Sequence, residues 1–240
     1  MALPDKFRTI LLFGMPGSGK GTQGVVLGHL PGVVHISSGD LFRKLPKHGD
    51  LGREVVSYTS RGLLVPDDLT IRIWKRHLQI LLLQEEVTPG CTTLVLDGLP
   101  RNFEQAGMLD DVLDVIQIFH LMISDIDKAR DRLAARALRE NRLDDINEEV
   151  VQRRLQVYHD ETFKTLQFYD PSIIYEINAS QSPLKVHMDI VQRLCEMEKV
   201  RQFSTAPEVG ANGGDPGPED AQRSGLTDST DPDRTPSTVG

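Results

Sequence analysis

Two cysteines, Cys91 and Cys195, are all that the 240 residues contain, and their spacing matches neither a zinc site nor a redox motif. Neither a disulfide framework nor a zinc cluster is therefore indicated, and the expectation is a soluble protein of a reducing, cytoplasmic setting. Long hydrophobic runs are missing as well: none approaches the roughly 18 residues of a membrane span. The opening MALPDKFRTILLFG has too short an apolar part for a secretory signal and no A-x-A-like site after it, so it reads as a first strand. Positive charge is in deficit, with 27 Lys and Arg against 35 Asp and Glu and a net charge of -8. An acidic balance gives no reason to expect a nucleic-acid groove, so any anion site must arise from local clustering. There is no Ser-His-Asp or Cys-His arrangement, and no guanine-reading Asn-Lys-x-Asp stretch. The seven histidines lie in apolar, helical or loop surroundings and read as structural.

The acidity is uneven. From Thr205 onward the chain carries seven acidic residues against two arginines, is rich in Pro, Gly, Ser, Thr and Asp, and has no aromatic residue. Such a segment buries too little apolar surface to offset its chain entropy, so residues 205–240 are expected to be a disordered acidic tail on a domain spanning 1–204.

Within that domain strands alternate with helical patterns. TILLF (9–13), GVVHIS (32–37), TTLVLDG (92–98), a segment within VIQIFHLMI (115–123) and SIIYEIN (172–178) read as strands. Helices are expected from near Lys20, after Ser38 or Asp40 as cap, and over 50–61, 67–86, 125–139, 147–169 and 183–201. The alternation predicts an α/β fold with a five-stranded parallel sheet between two helical layers. Ligands bind such sheets at the carboxyl ends of the strands, where GMPGSGKGT, SSGD and DGLPR all fall.

GMPGSGKGTQ (14–23) carries the most chemistry. Gly14, Gly17 and Gly19 allow a tight turn whose N–H groups point inward at phosphate oxygens, with the positive end of the following helix behind them. Lys20 would reach the terminal phosphates as a compact point charge. The usual metal-binding hydroxyl after the lysine is replaced by Gly21, and Thr22 is turned about 100° further round the helix. A Mg²⁺ would then rest on phosphate oxygens and waters, with Asp97 at the end of the third strand as a partner through water only.

GMPGSGKGTQ, HISSGDLFR, GLLVPD, LDGLPRNFEQA and RLDDINEEVVQRRLQVYHDET occur in the order and spacing of the nucleoside monophosphate kinases. The chain most resembles the short-lid adenylate kinases, over about residues 7–200. In that family Gly-Lys-Gly-Thr is the normal loop ending. The resemblance implies a helical monophosphate-binding insertion at about 38–67 and a short lid at about 136–146. It implies ATP on Gly14, Pro16, Gly17, Ser18, Gly19, Lys20, Gly21 and Thr22, with Arg132 stacking on the donor base and Arg136 on the transferring phosphate. It implies AMP on Ser38, Gly39, Arg43, Val65, Gly98, Arg101 and Gln105, with Arg142 and Arg154 closing from the lid side. Lys20, Arg101, Arg136, Arg142 and Arg154 are then catalytic, Asp144 and Asp145 steady the lid arginines, and Arg153 points elsewhere. Mg²⁺ accompanies ATP, no zinc is needed, and the partners are ATP and AMP for a monomer without membrane or nucleic acid.

Three departures stand out: Ala137 follows Arg136 where the family often has glycine, ALREN (137–141) has no glycine, and LDDINEE contains one residue more than the DDNEE form. Ser38 and Gln105 favour AMP, because a glutamine amide can donate and accept in the paired pattern of adenine's edge. A UMP/CMP kinase on the same fold is the alternative. A non-catalytic nucleotide-binding module would be expected to have lost charged positions, and all are present.

Overall fold

The computed structural model describes residues 6–140, 142 and 145–197. Asp144, the tail from 205 and the last residues expected in the closing helix lie outside the described residues. Strands β1 (Phe7–Phe13), β2 (Val33–Ser37), β3 (Thr93–Asp97), β4 (Leu113–Met122) and β5 (Ile174–Asn178) form one parallel sheet in the order β2-β3-β1-β4-β5. This is the sheet read from the sequence. β1 is central because it is apolar on both faces. Phe7, Leu11 and Phe13 join one buried cluster with Trp74 and Leu78, while Ile10 and Leu12 join the other with Leu27, Ile190 and Leu194. Period-two alternation in one strand thus feeds two cores, as a sheet covered on both sides requires.

The helices are α1 (Lys20–Leu27), α2 (Ser38–Lys44), α3 (Asp50–Thr59), α4 (Asp67–Leu83), α5 (Phe103–Asp110), α6 (Ile126–Glu140), α7 (Glu148–Val157) and α8 (Pro183–Glu196). α4 begins after Pro66 with Asp67 and Asp68 in its first turn, where carboxylates oppose the positive helix end, and it packs Leu69, Ile73, Trp74, Leu78 and Leu81 inward.

Four departures from the sequence reading are the largest or bear on the site. Ser37, not Ser38 or Asp40, caps α2 by accepting the Asp40 N–H, because the helix follows the strand directly and already begins at Ser38. α5 lies in a stretch for which no helix was expected; Asn102 caps it by accepting the Gln105 N–H. The helix expected over 147–169 is α-helical only to Val157, then π-helical over Tyr158–Thr162 and 3-10 over Lys164–Phe168. The widened turn sets Tyr158 against His120, with the Phe163 ring 5.7 Å from that imidazole. α4 stops three residues early, with Glu85 at φ 60°.

Candidate functional site

The carboxyl ends of β1, β2 and β3 open into one cavity of about 670 Å³. Register explains the convergence: β1 pairs Leu12 with Asp97, and β2 pairs Ser37 with Asp97, so the loops after three adjacent strands start level.

The loop after β1 contributes Gly14, Pro16, Gly17, Ser18, Gly19, Lys20, Gly21 and Thr22 to the wall. Gly17 has φ 85°, and a Cβ there would stand 2.5 Å from the Ala129 carbonyl oxygen, so only glycine fits the turn against α6. α1 has Gly19 at its N-cap and no side-chain cap, leaving its first N–H groups to a ligand. The Ser18 hydroxyl is buried and has no hydrogen-bond partner among the described residues, a polar atom that a phosphate oxygen would satisfy. Lys20 Nζ donates to the carbonyls of Gly14 (2.5 Å) and Met15 (3.1 Å). Burial lowers its pKa to about 8; Asp97 opposes the shift, and Arg101, Arg136 and Arg154 add to it.

The Asp97 carboxylate faces this loop: a Cβ on Gly21 would lie 3.4 Å from its Oδ2. Among the described residues no three His, Cys, Asp or Glu side chains cluster as a metal cage. A single carboxylate beside a phosphate cradle fits a Mg²⁺ that is carried mainly by phosphate and water.

On the other side stand Gly39 and Arg43 of α2, and Gly98 and Arg101 after β3. Arg43 pairs with Asp40 (2.5 Å). Arg101 donates to the Gly98 carbonyl (3.0 Å), and burial, then Arg154, lowers its pKa to about 10 despite Asp97. Ser38, Val65 and Gln105 do not reach the cavity wall. The Ser38 hydroxyl donates to the Gly98 carbonyl (2.6 Å). The Gln105 carbonyl accepts the Arg101 N–H (2.8 Å) and its amide donates to Asp67 (2.7 Å).

The lid side adds Arg132, Arg136, Arg142 and Arg154. Arg132 is held by the carbonyls of Ala179 (2.7 Å) and Gln181 (3.2 Å) in the loop after β5. Asp145, whose side chain is 0% exposed, accepts a two-point bond from Arg136 (2.7 and 2.9 Å) and a third from Arg154 (2.5 Å). Burial pushes the Asp145 pKa up, but the hydrogen bonds and charges of Arg136 and Arg154 outweigh it and hold the group below its ordinary value. Arg142 pairs with Glu140 (2.6 Å); burial, then Arg136 and Arg43, lowers its pKa. Arg153 donates instead to the Arg61 carbonyl (3.2 Å), away from the cavity. Arg139, Tyr158 and Gln181 also line it and were not foreseen. Tyr158 follows Arg154 by four residues, a spacing that places both on one helix face and was the signal for it.

A cavity ringed by one lysine and seven arginines, with a glycine cradle at its floor, is built for a heavily charged phosphate pair. A family model described as adenylate kinase matches residues 12–174. The adenylate kinase of Corynebacterium diphtheriae is 39% identical over 166 residues, 69% of this chain and 87% of that protein. That of Cyanothece sp. is 40% identical over 166 residues, 67% and 80% of the two chains. That of Thermobifida fusca is 34% identical over 197 residues, 80% and 98% of the two chains.

Proposed function

Because the chain belongs to the adenylate kinase family, we propose that its cavity transfers the γ-phosphoryl group of Mg-ATP reversibly to AMP, giving two ADP. The observation that carries this is the shared cavity: the phosphate loop with Lys20 faces Arg43 and Arg101 across it, with the lid arginines between. Phosphoryl transfer needs alignment and charge neutralisation more than covalent chemistry from the protein. Lys20 and the loop N–H groups hold the donor phosphates, Arg43 and Arg101 the acceptor phosphate, and Arg136, Arg142 and Arg154 the charge that spreads over the transferring group. Mg²⁺, when bound, neutralises phosphate charge; Asp97 holds its waters. Arg132 packs against the donor base. The protein acts as a cytoplasmic monomer on these two nucleotides. No described helix is long and apolar enough to cross a membrane.

AMP as acceptor rests on Gln105. Gln105 is 1% exposed and bonded to Asp67 and Arg101; its remaining hydrogen and lone pair match adenine's paired edge, and meeting it requires the side chain to turn into the cavity when AMP binds. ADP formation from Mg-ATP with AMP, CMP, UMP and GMP offered separately tests this. Turnover is expected with AMP far above the others, and preference for CMP or UMP would discard the Gln105 and Ser38 assignment.

The free protein should also show the lowered Lys20 pKa. Its ammonium loses its proton as pH rises through about 8, so kcat/KM for ATP is expected to fall above that pH. kcat should hold to higher pH, because bound phosphate retains the proton. A flat kcat/KM profile to pH 10 would remove the assignment.

A further inference from the structure

His120 is a buried titratable group that the transfer scheme leaves unused. It sits on β4, 3% exposed, paired in register with Glu176 of β5. Its Nε2 lies 3.0 Å from the Tyr158 hydroxyl, and its Nδ1 lies 3.7 Å from the Glu176 carboxylate with no hydrogen-bond partner among the described residues. Tyr158 in turn lines the nucleotide cavity. A chain of three side chains therefore runs from the exposed Glu176 through a buried imidazole to a phenol at the site.

Its inner end, Tyr158, lines the same cavity as Lys20, Arg101 and Arg154. The Tyr158 N–H donates to the Arg154 carbonyl one turn back. Arg154 acts electrostatically on both Lys20 and Arg101, and Lys20 acts on His120. Burial, set against the Glu176 charge and reinforced by Lys20, lowers the His120 pKa, so the ring is neutral near pH 7 and carries one N–H. The position of that hydrogen decides what Tyr158 can do. On Nδ1 it faces Glu176, and the phenolic hydrogen is spent on Nε2. On Nε2 it is donated to the phenolic oxygen, and the Tyr158 hydrogen is released toward the cavity.

We propose that Tyr158 is a further catalytic residue, donating its hydroxyl hydrogen to an oxygen of the transferring phosphoryl group, and that His120 is the residue that positions it. This rests on the phosphotransfer reading above and deepens it. Negative charge arriving in the cavity selects the Nε2–H form of His120, so the donor is oriented by the substrate that uses it. Glu176 faces Nδ1 from β5, Lys20 stands toward the ring from α1, and Tyr158 meets it from the π-helical turn. Among the described residues these are the charged and titratable groups that act on the imidazole; His159, Asp160 and Glu161 share the π-helical turn without acting on it.

The test measures kcat and KM for Mg-ATP and AMP in Tyr158→Phe, His120→Leu, His120→Gln and the Tyr158→Phe/His120→Leu double variant. Tyr158→Phe and His120→Leu should each lower kcat by about tenfold, the weight of one hydrogen bond to a charged group, with KM values nearly unchanged. The double variant should be no slower than either single variant, because both changes remove the same hydrogen bond. His120→Gln, whose amide can reach the Nε2 position, should recover most of the rate. Full kcat in Tyr158→Phe, additive losses in the double variant, or a His120→Gln as slow as His120→Leu would overturn the proposal. Tyr158→Phe sits on the cavity wall, so it decides the matter even if His120→Leu folds poorly. If the unmodified protein makes no ADP, the phosphotransfer reading has failed and this inference falls with it.

Discussion

Lys20→Met is expected to lower kcat by about a hundred- to a thousandfold, the loss seen when a preorganised charge is removed from a developing transition state. Methionine keeps most of the aliphatic stem and removes the charge together with the hydrogen bonds to the Gly14 and Met15 carbonyls. The fold should not suffer, because burial already lowers the Lys20 pKa and so opposes its charged form. Removing that charge relieves the native state, and the unfolding temperature should stay level or rise. Circular dichroism melting beside the rate measurement separates the two effects. A Lys20→Met protein with full turnover would remove the phosphate-loop mechanism, whatever its stability.

Asp145→Asn is expected to lose both activity and stability. One buried carboxylate holds two cavity arginines, Arg136 through two bonds and Arg154 through a third. An asparagine of the same shape presents an amide N–H to at least one guanidinium and no charge to either. Both arginines should leave their positions together, with kcat falling by about a hundredfold if each contributes a factor of ten. The fold should lose about 2 kcal/mol, the scale of hydrogen bonds between charged groups in a buried setting. The pH dependence has a definite sign. The folded pKa of Asp145 lies below its ordinary value, so its stabilisation is complete above that ordinary value and lost as pH falls through the lower folded one. The deficit of Asp145→Asn should therefore shrink in acid. Equal unfolding temperatures for the two proteins at pH 7 would show that the carboxylate does not hold the lid side in place.

The sheet and the phosphate loop were legible in the sequence because their signals are local. TILLF is a strand by its own composition, and GMPGSGK states its geometry through the glycines that Gly17 and Gly19 confirm with positive φ. The convergence of loops followed from parallel topology, which strand-helix alternation implies. What was not legible depends on contacts between distant residues. That Gln105 would spend its amide on Asp67 cannot be read from DGLPRNFEQ, since the two lie 38 residues apart. The π-turn after Val157 accompanies the packing of Phe163 on His120, residues that meet only in the fold. His120 itself looked structural, because an isolated histidine in an apolar strand says nothing until Tyr158 and Glu176 are placed beside it. The lid departed from the family pattern at ALREN, and the structure keeps α6 helical through Glu140, with Arg139 on the cavity wall. A helix continued by alanine and leucine rather than broken by glycine accounts for that extension.

The central claim is direct phosphoryl transfer between two nucleotides held in one cavity. It is tested by incubating the protein with Mg²⁺, AMP and ATP labelled in its γ-phosphate, and locating the label. The account predicts label in the β-phosphate of newly formed ADP, with none released as inorganic phosphate. Label found only as inorganic phosphate, or left on ATP while ATP still binds, would contradict it.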